Sequence, residues 1–218
     1  MNESLFTLLP LVAPAFLLVF SFLALGNKES HAISRFAEPT AWMGLLGAIA
    51  SGFILYLYGT MQSGLLGWEG LGFTIRMDSL SMIMFIMIAI LGLVVLRYSV
   101  NYMDGDPRKN IFMARMAITI AGVELLVLSG NLGQLFVFWV ITSICLHYLL
   151  VFYRSRPQAI AAARKKFVMA RIGDAALFGA TAMLYSEFGT GDLEAIFQGI
   201  QQQTGLNSSL VTATILLV

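Results

Sequence analysis

The chain has 218 residues, of which 58% are hydrophobic and 11% charged, with a formal net charge of +1. An average soluble domain carries about 25% charged residues, so a water-soluble fold is all but excluded. One cysteine in an apolar run, Cys145, allows neither an internal disulfide nor a cysteine-based metal site, and two histidines do not make a zinc site by themselves.

A membrane helix needs roughly 20 apolar residues to cross about 30 Å of hydrocarbon. In chain order such runs are predicted over about 5–25, 41–61, 79–100, 112–130, 132–153 and 167–187. A seventh begins near Ser209 and is still apolar at Val218, so the chain is expected to be truncated inside its seventh span. The first span follows Glu3 rather than a basic segment and has no clear small-residue cleavage site after it, which argues against a cleaved signal. Between spans six and seven, GTGDLEAIFQGIQQQTG predicts a loop with a short amphipathic helix capped by Asp192. No Gly-rich phosphate loop or nucleotide fingerprint is present, and nothing points to a nucleic-acid partner.

The distribution of basic residues predicts orientation. With the N-terminus outside the cytoplasm, the inner loops and helix ends hold Lys28, Arg35, Arg97, Arg108, Lys109, Arg115, Arg154, Arg156, Arg164, Lys165, Lys166 and Arg171, and only Arg76 lies outside. The outer loops carry acids such as Glu69, Asp192 and Glu194.

Charges within hydrocarbon cost about 2.5–3.5 kcal/mol each, so those that persist usually pair or transport something. Four stand at membrane depth: Glu124, His147, Arg171 and Asp174. Glu124 lies six residues before the predicted end of span four, about 9 Å deep, on a face with Ala114, Ala117 and Ala121. His147 and Asp174 are predicted at similar depths from the inner side, so they are expected to meet directly or through water. Arg171 precedes Asp174 by three residues and can form an intrahelical ion pair with it. Histidine as a residue type suits a proton relay. The plainer alternatives are a structural Arg171–Asp174 pair, a non-titrating His147 between helices, and Arg164, Lys165 and Lys166 as a cytoplasmic anchor.

The runs RMDSLS (76–81), YSVNYMDGD (98–106), LVLSGNLGQLFVFW (126–139), YLLVFY (148–153), AAARKKF (161–167) and RIGD (171–174) are similar to the N-terminal half of the antiporter-like membrane subunits. That superfamily takes in the large proton-pumping subunit of respiratory complex I, the Mrp-type cation/proton antiporters and the DabB subunit of an inorganic-carbon accumulation system. The resemblance covers about residues 70–195. It implies an all-α integral membrane bundle of which this chain holds six complete helices and the start of a seventh. Residues 1–110 would supply helices 1–3, and 111–218 the start of the proton-conducting domain.

After the tryptophan of LF-x-x-W, complex I and Mrp subunits usually carry a glutamate that conducts protons; here that position is Val140. The string FWVITSICLHYLLVFYRSRP, with His147 before YLL, resembles DabB more closely. Val140, Ser143 and His147 share a helical face, and Glu124 is expected to replace the lost acid. The proton path is therefore expected to run through Glu124, Ser143 and His147 towards Asp174, with Arg171 and Lys165 beside it.

The resemblance to DabB implies a transporter subunit rather than an enzyme, in the inner (plasma) membrane, energising uptake of carbon dioxide or bicarbonate. Its partner would be a DabA-like protein at the cytoplasmic face, resembling a zinc β-carbonic anhydrase. Zinc and any CO2 hydration would belong to that partner, and no cofactor is expected in this chain. The rivals are a cation/proton antiporter, a divergent NADH-quinone oxidoreductase subunit L, and a non-conducting structural subunit.

Overall fold

The computed structural model describes residues 3–27, 33–64, 67, 72–153, 157–202 and 208–217; Lys28, His31, Glu69, Arg154 and Arg156 lie outside the described residues. Helix α1 (Glu3–Leu8) continues through a 3-10 turn at Leu9–Leu11 into α2 (Val12–Gly26). A second 3-10 turn, Ile33–Phe36, leads into α3 (Ala37–Tyr58). Two short antiparallel strands follow, β1 (Met61–Gln62) and β2 (Arg76–Met77), pairing Met61 with Met77. The remaining helices are α4 (Ser79–Tyr102), α5 (Lys109–Val127), α6 (Leu132–Leu150), α7 (Pro157–Phe188), α8 (Leu193–Gln202) and α9 (Ser208–Leu217).

Six helical segments among the described residues are long and apolar enough to cross a membrane: Phe6–Gly26, Ile33–Tyr58, Ser79–Tyr102, Lys109–Val127, Leu132–Leu150 and Pro157–Phe188. The protein is an all-α membrane bundle, and the seventh predicted run is α9.

The core follows the helical period. Ala13, Leu17, Phe20 and Ala24 line one face of α2, while Phe85, Ala89, Leu93 and Leu96 line one face of α4. Ala114, Ala117 and Ala121 let α5 approach α2 closely enough for the Ser21 hydroxyl to donate to the Ala114 carbonyl at 2.9 Å. Opposite faces expose Phe22, Leu46, Phe53, Ile83 and Val94, as helices bordered by lipid require. This core runs unbroken from α2 to α5.

The helix ends differ from the hydropathy runs. Helix α5 stops at Val127 rather than 130, because the next residues turn into an extended stretch. There the Arg76 amide donates to the Leu128 carbonyl, Ile75 bridges Ser129, and the Gly130 amide donates to the Thr74 carbonyl. A side chain at Gly130 would sit 3.0 Å from Thr74 Oγ1, so glycine eases this close approach. Asn131 then caps α6, its side chain accepting from the Gly133 amide at 2.8 Å. Helix α7 starts at Pro157 rather than 167, since proline suits a first helical position and the polar AAARKK segment is a good helix former with low hydropathy.

These extended pieces close one end of the bundle. Asp78 and Ser81 form a reciprocal capping box at the start of α4. The Thr74 amide donates to Gln134 Oε1, the Leu132 amide to the Gly191 carbonyl, and the Leu193 amide to the Gly130 carbonyl. Asp192 accepts from the Glu194 amide as the α8 cap and also from Gln62 Nε2 at 3.0 Å. Arg76 is ion-paired there with Asp78 and Glu194. The opposite end carries Arg35, Arg97, Arg108, Lys109 and Arg164 at helix termini near that surface.

Candidate functional site

Trp139, Ser143 and His147 recur every fourth residue along α6 and so fall on one face. Helix α7 runs antiparallel against that face and presents Asp174, Arg171 and Lys166 in reverse order. The Trp139 indole N–H donates to Asp174 Oδ1 at 3.0 Å, and Arg171 Nη2 meets Asp174 Oδ2 at 2.7 Å. Arg171 Nη2 also donates to Ser143 Oγ at 3.3 Å. Lys166 Nζ donates to the Ser143 carbonyl at 3.0 Å and to its Oγ at 3.3 Å. His147 stacks on Phe167 with ring centroids 4.8 Å apart, and the Arg171 guanidinium lies 4.9 Å from the same ring.

The result is a connected polar array between two apolar helices. One carboxylate accepts from Trp139 and is ion-paired with Arg171, and one hydroxyl accepts from two cations. With both Ser143 lone pairs directed at cations, its O–H remains to donate onward. Arg171 keeps its charge in any protein setting, whereas Lys166 and Asp174 are groups that exchange protons. Two cations converge on the Ser143 hydroxyl, and one of them, Arg171, also meets the Asp174 carboxylate.

Several placements differ from the sequence expectation. His147 and Asp174 do not meet: Asp174 sits opposite Trp139, eight residues and about 12 Å along α6 from His147. Their depths coincide only if α7 begins near residue 167, and it begins ten residues earlier. His147 Nδ1 is buried with no hydrogen-bond partner among the described residues, joined to the array only through the Phe167 ring. Lys165 is exposed and outside the array, and its neighbour Lys166 supplies the ammonium. A helical wheel carries that signal, because Lys165 is nine residues from Asp174 and thus on the opposite side, while Lys166 and Phe167 are nearer its face. Trp139, one turn before Ser143, is a further member that the search for ionisable residues passes over.

Glu124 lies elsewhere. Gly122 of α5 faces α6, since a Cβ there would come to 3.0 Å from Thr142 Oγ1. Two residues along a helix turn by about 200°, so Glu124 faces the other way, into the α2, α3 and α4 side of the bundle. It therefore lies away from the α6 position of Val140, which is half-buried. Glu124 also stands three residues from the end of α5. Among the described residues no group of three His, Cys, Asp or Glu is placed to hold a metal ion.

Residues 129–218 match the family described as NADH:quinone oxidoreductase/Mrp antiporter, TM, and residues 70–113 match the complex I chain 5 N-terminus. The "Probable inorganic carbon transporter subunit DabB2" of Halothiobacillus neapolitanus is 31% identical over 97% of this chain and 40% of its own length. The "Probable inorganic carbon transporter subunit DabB" of Hydrogenovibrio crunogenus is 30% identical over 87% of this chain and 36% of its own. A chloroplastic NAD(P)H-quinone oxidoreductase subunit 5 from Illicium oligandrum is 38% identical over 62% of this chain and 18% of its own. In structure, a chain of the membrane-bound sulfane sulfur reductase, an archaeal respiratory membrane complex, superimposes with a TM-score of 0.75 at 19% identity, over 99% of this chain and 43% of that one. The chain thus spans well under half the length of these relatives. Both family segments are present in order, and the chain is similar to the antiporter-like membrane subunits shared by NADH:quinone oxidoreductase and the Mrp antiporters and, over nearly its whole length, to inorganic carbon transporter subunits.

Proposed function

We propose that this chain is part of a proton-conducting subunit of the inner membrane that energises uptake of carbon dioxide or bicarbonate, with a cytoplasmic carbonic-anhydrase-like partner. The observation that carries conduction is the α6/α7 array, in which Asp174, Arg171, Ser143 and Lys166 are linked by contacts of 2.7–3.3 Å. Substrate and partner rest on the names of the two carbon-transporter relatives and on similarity over most of the chain. The N-terminus lies outside the cytoplasm on this proposal, since the basic residues collect at one end and would face inward. The partner is a DabA-like protein that holds the zinc and hydrates CO2, docked on the basic end.

In the mechanism, Asp174 is held by Trp139 and Arg171 in one orientation, and the Ser143 hydroxyl bridges the cations to further waters. A proton arriving on Asp174 weakens its hold on Arg171, which then leans on Ser143 and disfavours charge on Lys166. Lys166 releases its proton towards the partner's side, and the proton on Asp174 then passes through the Ser143 hydroxyl to the neutral Lys166 amine, which restores the starting charges. Asp174→Asn in the full-length protein, expressed with its partner, is expected to abolish carbon-dependent growth and proton uptake into vesicles while insertion and co-purification persist. Wild-type proton uptake by that variant would overturn conduction through the array. The 38% identity to a quinone oxidoreductase subunit favours a second reading, a respiratory subunit, and co-purification with quinone-reductase subunits instead of a zinc protein would select it.

A further inference from the structure

Glu124 is 1% exposed, and its Oε2 has no hydrogen-bond partner among the described residues. It lines a small cavity together with Leu17 of α2, Ala41, Gly44 and Leu45 of α3, Ala89, Gly92, Leu93 and Leu96 of α4, and Ile120. Glu124 is the one polar side chain in that lining. The space open to the centre of a water is about 10 Å³, room for roughly one water. The charged groups of the surrounding helices are engaged elsewhere. Helix α2 has none, Glu38 of α3 pairs with Arg97 of α4, Lys109 of α5 pairs with Asp104, and Arg115 donates to the Tyr148 carbonyl. Among the described residues no cation is placed to balance a carboxylate here, and an unpaired buried charge is far costlier than a neutral acid.

We propose that Glu124 and this cavity form a second proton-binding site, independent of the α6/α7 array, whose ligand is a proton carried as the neutral carboxylic acid with one associated water. It deepens the proton-conducting reading by adding a store for a proton on the α2–α5 side. The separation is geometric: Glu124 and the residues facing α6 lie on opposite sides of α5. In the neutral form the acid O–H donates to the water, and Oε2 accepts from it, which satisfies the atom that has no protein partner. Gain or loss of the proton changes no other bond.

The test is infrared difference spectroscopy of the full-length protein with its partner in lipid nanodiscs at neutral pH. A protonated carboxyl gives a C=O band that shifts in heavy water. The expected result is such a band in wild type and in Asp174→Asn, lost in Glu124→Gln. Absence of the band in wild type would overturn the site, and so would its loss in Asp174→Asn, which would tie it to the array. Leu17→Ala enlarges the cavity as a second variant; a change in that band's frequency is expected, and an unaltered band would place the acid outside the cavity. Growth and proton uptake are not the readout, so this proposal and the conduction proposal fail separately.

Discussion

At the scale of single residues, adjacent lysines separate packing from chemistry. Lys166 reaches Ser143 and Lys165 does not, although both belong to one basic run. Lys166→Met is expected to lower vesicle proton uptake at least about tenfold, a loss of roughly 1.4 kcal/mol in the limiting step, whereas Lys165→Met stays within about twofold. Equal effects from the two would show that the run acts only through its charge. A second residue prediction concerns the basic end, where the Tyr153 hydroxyl donates to Asp106 Oδ2 at 3.0 Å. The Arg108 amide, donating to Asp106, holds that carboxyl below its ordinary value, and the hydrogen bond to Asp106 raises Tyr153 above its own. The Asp106 contribution to stability is therefore present at neutral pH and is lost as pH falls below about 3.9 through the lower folded value. Asp106→Asn should bring Tyr153 ionisation back towards about 10, read from a labelled Tyr153 carbon by NMR; an unchanged titration would mean the contact is not formed in solution. The sequence made the array's ionisable members legible because charges in apolar runs are conspicuous. It hid Trp139, whose role depends on a neighbouring helix.

At the scale of elements, glycine sets how closely α5 and α6 pack. A Cβ at Gly122 would stand 3.0 Å from Thr142 Oγ1 and 3.8 Å from its Cα, so a branched side chain has no room. Gly122→Val is expected to cost about 1–3 kcal/mol through overpacking, seen as a lower thermal midpoint in detergent. Thr142→Ala in the same protein should recover part of that loss, because the displaced hydroxyl has no partner to lose. No recovery would locate the strain in the backbone instead. Helix ends were the part of the fold that hydropathy could not supply. Leu128 is as apolar as the helix before it, yet pairing with residues 74–76 draws it out of α5. The amphipathic α8 and its Asp192 cap are legible in advance, because both are local features of the chain.

At the scale of the whole molecule, the alternation of helix directions carries the topology. A tag between 154 and 166 is expected to be shielded from an impermeant reagent in intact cells, and one between 62 and 75 to be labelled; the reverse pattern would invert the proposed orientation. Helix α7 bears on the same question. Its 32 residues extend about 48 Å, against roughly 30 Å of hydrocarbon, and even a tilt of about 40° leaves several ångströms in excess. The Phe188 end is tied to the closed end through Gly191, Asp192 and Leu193, so the surplus length must emerge at the Pro157 end. Arg164 and Lys165 then stand in the headgroup layer, and Lys166 becomes the first side chain to turn inward from it. The polar array would open sideways at the level of the lipid phosphates, as a portal whose height above the membrane plane follows bilayer thickness.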